Sequence, residues 1–439
     1  MKNYKSTKLS NVAEVFSGFA FKSSDFREVG IPAIKISNVK NGYVDLEDNS
    51  TQYLDNYVLK KIDSKFVVKN GDVLTSLTGS HITQPNSVVG RVAQYKHKQN
   101  SLLNQRVGKI RVTNGRLCDL NFLFYYLSTK FVRQEIAQLA HGAANQANVS
   151  PKDIVKIKVP LPPLPIQKKI AAILSAYDEL IENNNRRIAI LEKMAEEIYR
   201  EWFVRLRFPG YQNTEFEKGI PKGWDLKELG SLCKKVTDGS HSSPEYFEGG
   251  MYMASVKDMT AYGFEKDTMK TISEPDYEKL VKSDCKPFDN DILIAKDGSY
   301  LKHVFVWKDN YEVVILSSIA ILRPNLDKIL PYFFASLLKQ PSTKSMMSGF
   351  VSGSALPRII LNDFKKMNLL VPAYELIKSF ENKVTPMFNQ IRTLLNINEN
   401  LTNTKNQLLP RLISGKLDVE SLDIAFPPGM KEEQETQNA

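Results

Sequence analysis

Asp276, Asp284 and Lys286, in Pro275-Asp276 followed by Asp284-Cys285-Lys286, come nearest to a catalytic pattern in this chain. Two carboxylates holding a divalent ion beside a charge-neutralising lysine is the chemistry of a metal-dependent nuclease. The spacing is short for that task. Ser273-Glu-Pro-Asp276 reads more simply as a helix start, with Ser273 capping and acids in the first turn. The histidines His81, His97, His141, His241 and His303 stand apart from one another, and no phosphate loop, HExxH or GxSxG motif occurs. Cys118, Cys233 and Cys285 form no CxxC pair, so neither a disulfide framework nor a zinc site is expected. No catalytic residue, metal ligand or cofactor is assigned to the chain.

Polar loops between short strand-like segments carry the remaining chemistry. They include Thr78-Gly-Ser-His-Ile-Thr-Gln84, Leu103-Asn-Gln-Arg106, His141 to Asn148, Lys296 to His303, Leu316-Ser-Ser318 and Ser352-Gly-Ser354. Amide and guanidinium side chains make bidentate contacts with base edges, while hydroxyls, lysines and loop N–H groups suit phosphates. The candidate DNA contacts are Lys22, Lys35, Asn38, Thr78, Ser80, His81, Asn104, Gln105, Arg106, Asn145 and Gln146 in the first half of the chain. Those in the second half are Ser240, His241, Lys257, Lys296, Ser299, Tyr300, Lys302, Ser317 and Arg358. The net charge of +10, from 59 lysines and arginines against 49 acids, suits a polyanionic partner such as double-stranded DNA.

A chain of 439 residues exceeds one ordinary core, and an internal repeat shows how it divides. A shift of 210 positions superposes Asp153 on Asp363, Val159 on Leu369, Pro162 on Pro372, Leu191 on Leu401 and Ile198 on Leu408; upstream the shift drifts to about 220, matching Gly71-Asp-Val-Leu74 to Asn290-Asp-Ile-Leu293. Each copy is a mixed module followed, after a proline-bearing joint, by a long helical pattern. Ile166 to Phe203 and Leu376 to Ile413 both keep apolar residues at heptad-like spacing, and about 38 residues of helix would be roughly 57 Å long. The expected fold is α+β. Two repeated mixed α/β domains are joined by two long helices that pair as an antiparallel coiled coil with pseudo-twofold symmetry. Asn184 and Arg187 would fix its register. The alternative packs each helix on its own domain. Met194, Ile198, Trp202, Phe203, Leu408, Leu412 and Ile413 are the candidate surface for other subunits. The expected limits are 1–162 and 209–372 for the domains, 163–208 and 373–416 for the helices, and 417–439 for a flexible tail. The opening MKNYKSTKLS lacks an apolar leader and no run of about eighteen apolar residues occurs, so a cytoplasmic, non-membrane protein is expected.

Val159-Pro-Leu-Pro-Pro-Leu-Pro-Ile-Gln167 entering Ile170-Ala-Ala-Ile-Leu174, then Asp178 to Asn184, Glu201-Trp-Phe203 and Leu408-Leu-Pro-Arg-Leu-Ile-Ser-Gly-Lys416, resemble the specificity subunit of type I restriction-modification systems. The matching runs extend over nearly all of Lys8 to Lys416. The resemblance implies two target recognition domains, each reading one half of a bipartite DNA sequence. The paired helices would space them and dock modification subunits, two copies in the family. Those subunits would bring S-adenosylmethionine and adenine methylation, and restriction subunits the ATP-driven translocation and cleavage. This chain departs from the pattern at Val371-Pro-Ala-Tyr-Glu375, which lacks the full proline run, and at Ser354-Ala-Leu-Pro357, which stands where the first copy has Ala144-Asn-Gln-Ala147. A reading of another class is a non-DNA adaptor scaffold with two ligand-binding domains on a helical rod. Duplex DNA repeats every 10 to 10.5 base pairs, about 34 Å, so the helices would set the unread spacer. Deleting four residues from either helix should shorten that spacer, with both half-sites unchanged when methylated sites are mapped; altered half-sites would refute it.

Overall fold

The computed structural model describes residues 4–48, 50–80, 87–143, 146–297, 302–309, 311–349, 351–352, 358–427 and 430. They fall into two compact units: residues 1–183 with 398–439, and residues 184–397.

In the first unit, β-branched segments with alternating or fully buried faces build two sheets. Val107–Val112 lies between Ala13–Ser17 and Val73–Ser76, antiparallel to both. Val92–Gln94 then pairs with Val73–Ser76, and Gly42–Tyr43 closes the edge. The other sheet runs Phe26–Arg27, Gln52–Leu54, Ile31–Ile34, Ser101–Leu103, Val67–Val68. The second unit repeats both orders with fewer strands. Cys233–Asp238, Ile319–Pro324, Ile292–Ala295 and Val304–Val306 form one sheet; Lys270–Ile272, Met251–Ala254 and Val313–Ile315 form the other. The parallel pairing of Ile31–Ile34 with Ser101–Leu103 recurs between Met251–Ala254 and Val313–Ile315. The fold is α+β, and the repeat is real at the level of strand order.

The two long helices span Leu164–Tyr199, continued by a wider turn at Arg200–Val204, and Tyr374–Ile413. Each unit takes one half of each. In the first unit, Ile166, Ile170 and Leu174 of the first helix share a core with Leu412 and Ile413 of the second. In the second unit, Ala195, Tyr199 and Trp202 pack with Ile377, Phe380 and Val384. The start of one helix thus meets the end of the other, which is the antiparallel order. Asp178 and Lys405 pair across the seam at 2.5 Å, and Tyr125 donates to the same carboxylate at 2.7 Å. Asn184 is buried, whereas Arg187 is exposed and takes no place in the seam. Pro386 and Pro410 lie inside the second helix, although each removes a backbone donor there. The buried flanks Val384, Ile391 and Leu412 hold the helical path through them. Residues 417–427, expected as a loose tail, instead pack on the first unit: Val419 is buried, Phe426 lies against the core, and Lys169 Nζ donates to the carbonyls of Glu420 and Leu422.

Polar side chains on the long helices also lock the modules to them. Buried Gln167 accepts from the Asp119 N–H at 2.9 Å and donates to the Leu117 and Pro162 carbonyls, each at 2.8 Å. The helix Leu120–Leu127 is capped locally, Asp119 accepting from the Phe122 N–H. Its counterpart Pro331–Lys339 starts after Leu330, which has no side-chain oxygen to cap with. Glu381 of the second long helix supplies the cap, accepting from Tyr332 and Phe333 N–H at 3.0 and 2.9 Å, and its burial raises its pKa. Glu381→Ala orphans two helix donors, so it should lower stability by about 1–3 kcal/mol in urea denaturation, and Glu381→Gln by less.

Candidate nucleic-acid interface

One backbone turn appears twice in the chain with the same six hydrogen bonds. In the first unit it runs from Leu103 to Val107. Gly18 N–H donates to Val107 O, Phe19 N–H to Leu103 O, and Gln105 N–H to Phe19 O; Asn104 N–H donates to Ile34 O, Val107 N–H to Asn104 O, and Leu77 N–H to Arg106 O. In the second unit the same pattern links Gly239 to Ile319, Ser240 to Ile315, Ser317 to Ser240, Leu316 to Ala254, Ile319 to Leu316, and Lys296 to Ser318. The clamp requires glycine in both copies. A Cβ on Gly18 would lie 2.2 Å from Leu103 O, and one on Gly239 would lie 2.1 Å from Ile315 O. Backbone groups on both sides hold the turn, so its side chains are free to differ. The first copy presents exposed Gln105 and Arg106; the second puts half-buried Ser317 and Ser318 there, with Ser318 Oγ accepting from Val256 N–H.

Around the first turn, the ring of exposed Phe19 meets Phe21 at a tilt and Phe66 edge-on, at centroid distances of 5.0 and 5.6 Å, and Lys22 is exposed. Phe19 was not singled out from sequence, because an aromatic residue in a strand-like run reads as core. Thr78–Gly79 pairs with the hairpin His141–Ala143 and Gln146–Asn148, whose Gln146 is exposed. Ser80 is half-buried, and its carbonyl accepts from Ser87 Oγ. In the second unit His241, Lys257 and Lys302 are exposed. His81, Asn145, Ser299 and Tyr300 lie outside the described residues, as does the side chain of Arg358.

Several candidates spend their polar groups inside the fold. Asn38 is buried: its amide accepts from Lys35 N–H and donates to Asp45 O and Thr51 Oγ1, a turn device repeated by Asp258 accepting from Ser255. Asn104 is buried at the turn's centre, where a reading side chain would have no access. Thr78 is buried with Oγ1 bonded to Asn148, and Ser240 Oγ bonds to Ser242. Lys35 is half-buried against Gln52 and the Phe26 ring, and this burial lowers its pKa. Lys296 occupies the place that buried Leu77 fills in the first unit, and it is neutralised there by Asp238. Nearby, Asp276 closes the cap of helix Glu274–Lys282, Asp284 pairs with Lys235 and Lys286 with Glu312. These three are committed to separate structural contacts, which do not converge on one site.

The expected subunit surface is also mostly internal. Trp202 is buried among Tyr199, Phe203 and Phe380; Leu412 and Ile413 are buried in the first unit's core; Phe203, Ile198 and Leu408 pack beside these cores. Met194 remains exposed, with exposed Ile190 one turn before it.

Residues 1–193 match the family model described as the type I restriction modification DNA specificity domain. The type I restriction enzyme MjaIX specificity subunit of Methanocaldococcus jannaschii is 26% identical over 355 residues, covering 78% of this chain and 79% of that one. The MjaVIII specificity subunit of the same organism is 25% identical over 409 residues, covering 89% and 90%. A crystal structure of the type I restriction-modification S subunit from M. genitalium aligns with a TM-score of 0.54 and 18% identity, over 94% of this chain and 97% of that one, and is similar in fold.

The assignment of Lys296 is open to a simple check. Lys296→Ala strips half-buried Asp238 of its main cation and should cost roughly 2–4 kcal/mol in chemical denaturation. Lys257→Ala, at an exposed position, should stay within about 0.5 kcal/mol.

Proposed function

We propose that this chain, which belongs to the specificity-subunit family of type I restriction-modification systems, is the DNA-recognition subunit of such a complex, each of its two modules reading one part of a split duplex sequence. The observation that carries the division of labour is the duplicated turn. Its backbone is held by the same six bonds in both units, while Gln105 and Arg106 in one become Ser317 and Ser318 in the other. Two copies of one frame with different donors and acceptors suit two different half-sites. Arg106 offers a guanidinium for a guanine edge or a phosphate, Gln105 and Gln146 amides for adenine, and Lys22, Lys257 and Lys302 charge for the backbone.

The chain's part in the reaction is positioning, and it is non-catalytic. Modification subunits would bring the methyl donor and the adenine chemistry, and restriction subunits the ATP-driven steps. Exposed Leu180, Ile190 and Met194 on the first long helix are apolar surface that such partners could cover, since Trp202, Leu412 and Ile413 are committed to cores. Mapping methylated adenines in cellular DNA, with the gene present and deleted, gives the target, and a mobility shift on that duplex tests binding. Arg106→Ala should weaken binding by about 1–3 kcal/mol and relax preference in one half-site only. A target and affinity unchanged by Arg106→Ala would remove that residue from the interface, and a duplex left unbound by the assembled subunits would overturn the reading.

A further inference from the structure

Two arginines beside the recognition turn lie close enough for the charge of one to act on the other, and neither has an acid paired with it among the described residues. Arg91 ends the segment entering strand Val92–Gln94, its carbonyl accepting from Ser76 N–H at 2.9 Å. Arg133 lies on the short helix Lys130–Gln138, where one Nη donates to Ser87 O at 2.6 Å and the other to Asn41 Oδ1 at 3.2 Å. Arg91 Nε is buried and finds no hydrogen-bond partner among the described residues. Burial lowers the pKa of both guanidinium groups, and the charge of Arg91 lowers that of Arg133 further, with no carboxylate offsetting either. Holding two like charges together on half-buried side chains costs free energy that no acid among the described residues offsets.

The position recurs in the second unit. Ala295 N–H donates to His303 O as Ser76 N–H does to Arg91 O, so His303 stands for Arg91. Helix Pro341–Ser348 corresponds to Lys130–Gln138 and puts Lys344 in the place of Arg133. Burial, followed by the charges of Lys302 and Lys339, lowers the pKa of His303. Lysines thus gather near this place in the second copy too, Lys302 and Lys339 acting on His303 and Lys344 on Lys339, with Glu192 and Glu196 also acting on Lys339.

We infer that Arg91 and Arg133 together grip a DNA backbone phosphate beside the turn that carries Arg106. The inference rests on the DNA-recognition reading and adds to it the groups that anchor the duplex irrespective of sequence. Arg91 and Arg106 flank the same strand end, on neighbours to either side of Val73–Ser76. Two strand spacings are about 10 Å, close to the ~12 Å width of a major groove. Adjacent guanidinium groups hold a phosphate through several charge-assisted hydrogen bonds, and the anion removes their mutual repulsion.

Arg91 makes no side-chain hydrogen bond among the described residues, so Arg91→Gln separates an anchor from a brace. The experiment uses the full chain assembled with its modification subunits and a duplex carrying the mapped target, titrated at several salt concentrations. Arg91→Gln should bind roughly tenfold more weakly. The slope of log affinity against log salt should become shallower by about 0.9, with the mapped sequence unchanged. Its unfolding midpoint should equal or exceed that of the unmodified chain, since a repulsion is removed, and Arg91→Lys should recover most of the slope. Wild-type affinity and slope in Arg91→Gln would overturn the inference, as would a loss of affinity accompanied by a lower unfolding midpoint, which marks a brace. Absence of binding by the unmodified assembly would instead overturn the reading of function.

Discussion

Each long helix carries an apolar stripe that water would otherwise meet, and the rest of the structure is arranged around covering it. The solution is reciprocal. The opening half of the first helix and the closing half of the second complete one core, through Ile170, Leu174, Leu412 and Ile413. The remaining halves complete the other, through Tyr199, Trp202, Ile377 and Phe380. Neither sheet module closes its core with its own residues alone. The polar side chains Gln167 and Glu381 then tie each module's helix start to a long helix, so the helices act as structural members of both modules.

On this support the proposed recognition surface is a backbone frame first and a set of side chains second. Gly18 and Gly239 admit carbonyl oxygens where any Cβ would collide, and six main-chain bonds fix the turn. Because those bonds involve no side chain, exchanging Gln105 and Arg106 for two serines leaves the frame intact. Specificity can therefore diverge between the two modules without a cost in folding.

Much of this was legible in the sequence. The duplication, the proline-bearing joints, the paired helices and the exposure of Arg106, Gln146 and Lys257 follow from periodicity and from residue type. The candidates that turn inward share one cause. Asn38, Asn104, Thr78 and Ser240 carry the groups that read bases, yet the same groups close turns, and one-dimensional spacing does not say which need they serve. Trp202 and Leu412 looked like exposed seams because their partners are some 200 residues away in the chain.

By itself the sequence determined that one α+β unit is written twice and that each copy ends in a helix needing a partner. These are properties of local pattern: apolar period, proline position and composition. Only the tertiary structure decided that Lys296 is a neutralised core residue while Arg106 is free, that Glu381 caps a helix far from it in sequence, and that Arg91 and Arg133 share one place without an acid between them. Burial and charge pairing are sums over neighbours brought together by folding, and no single segment contains them.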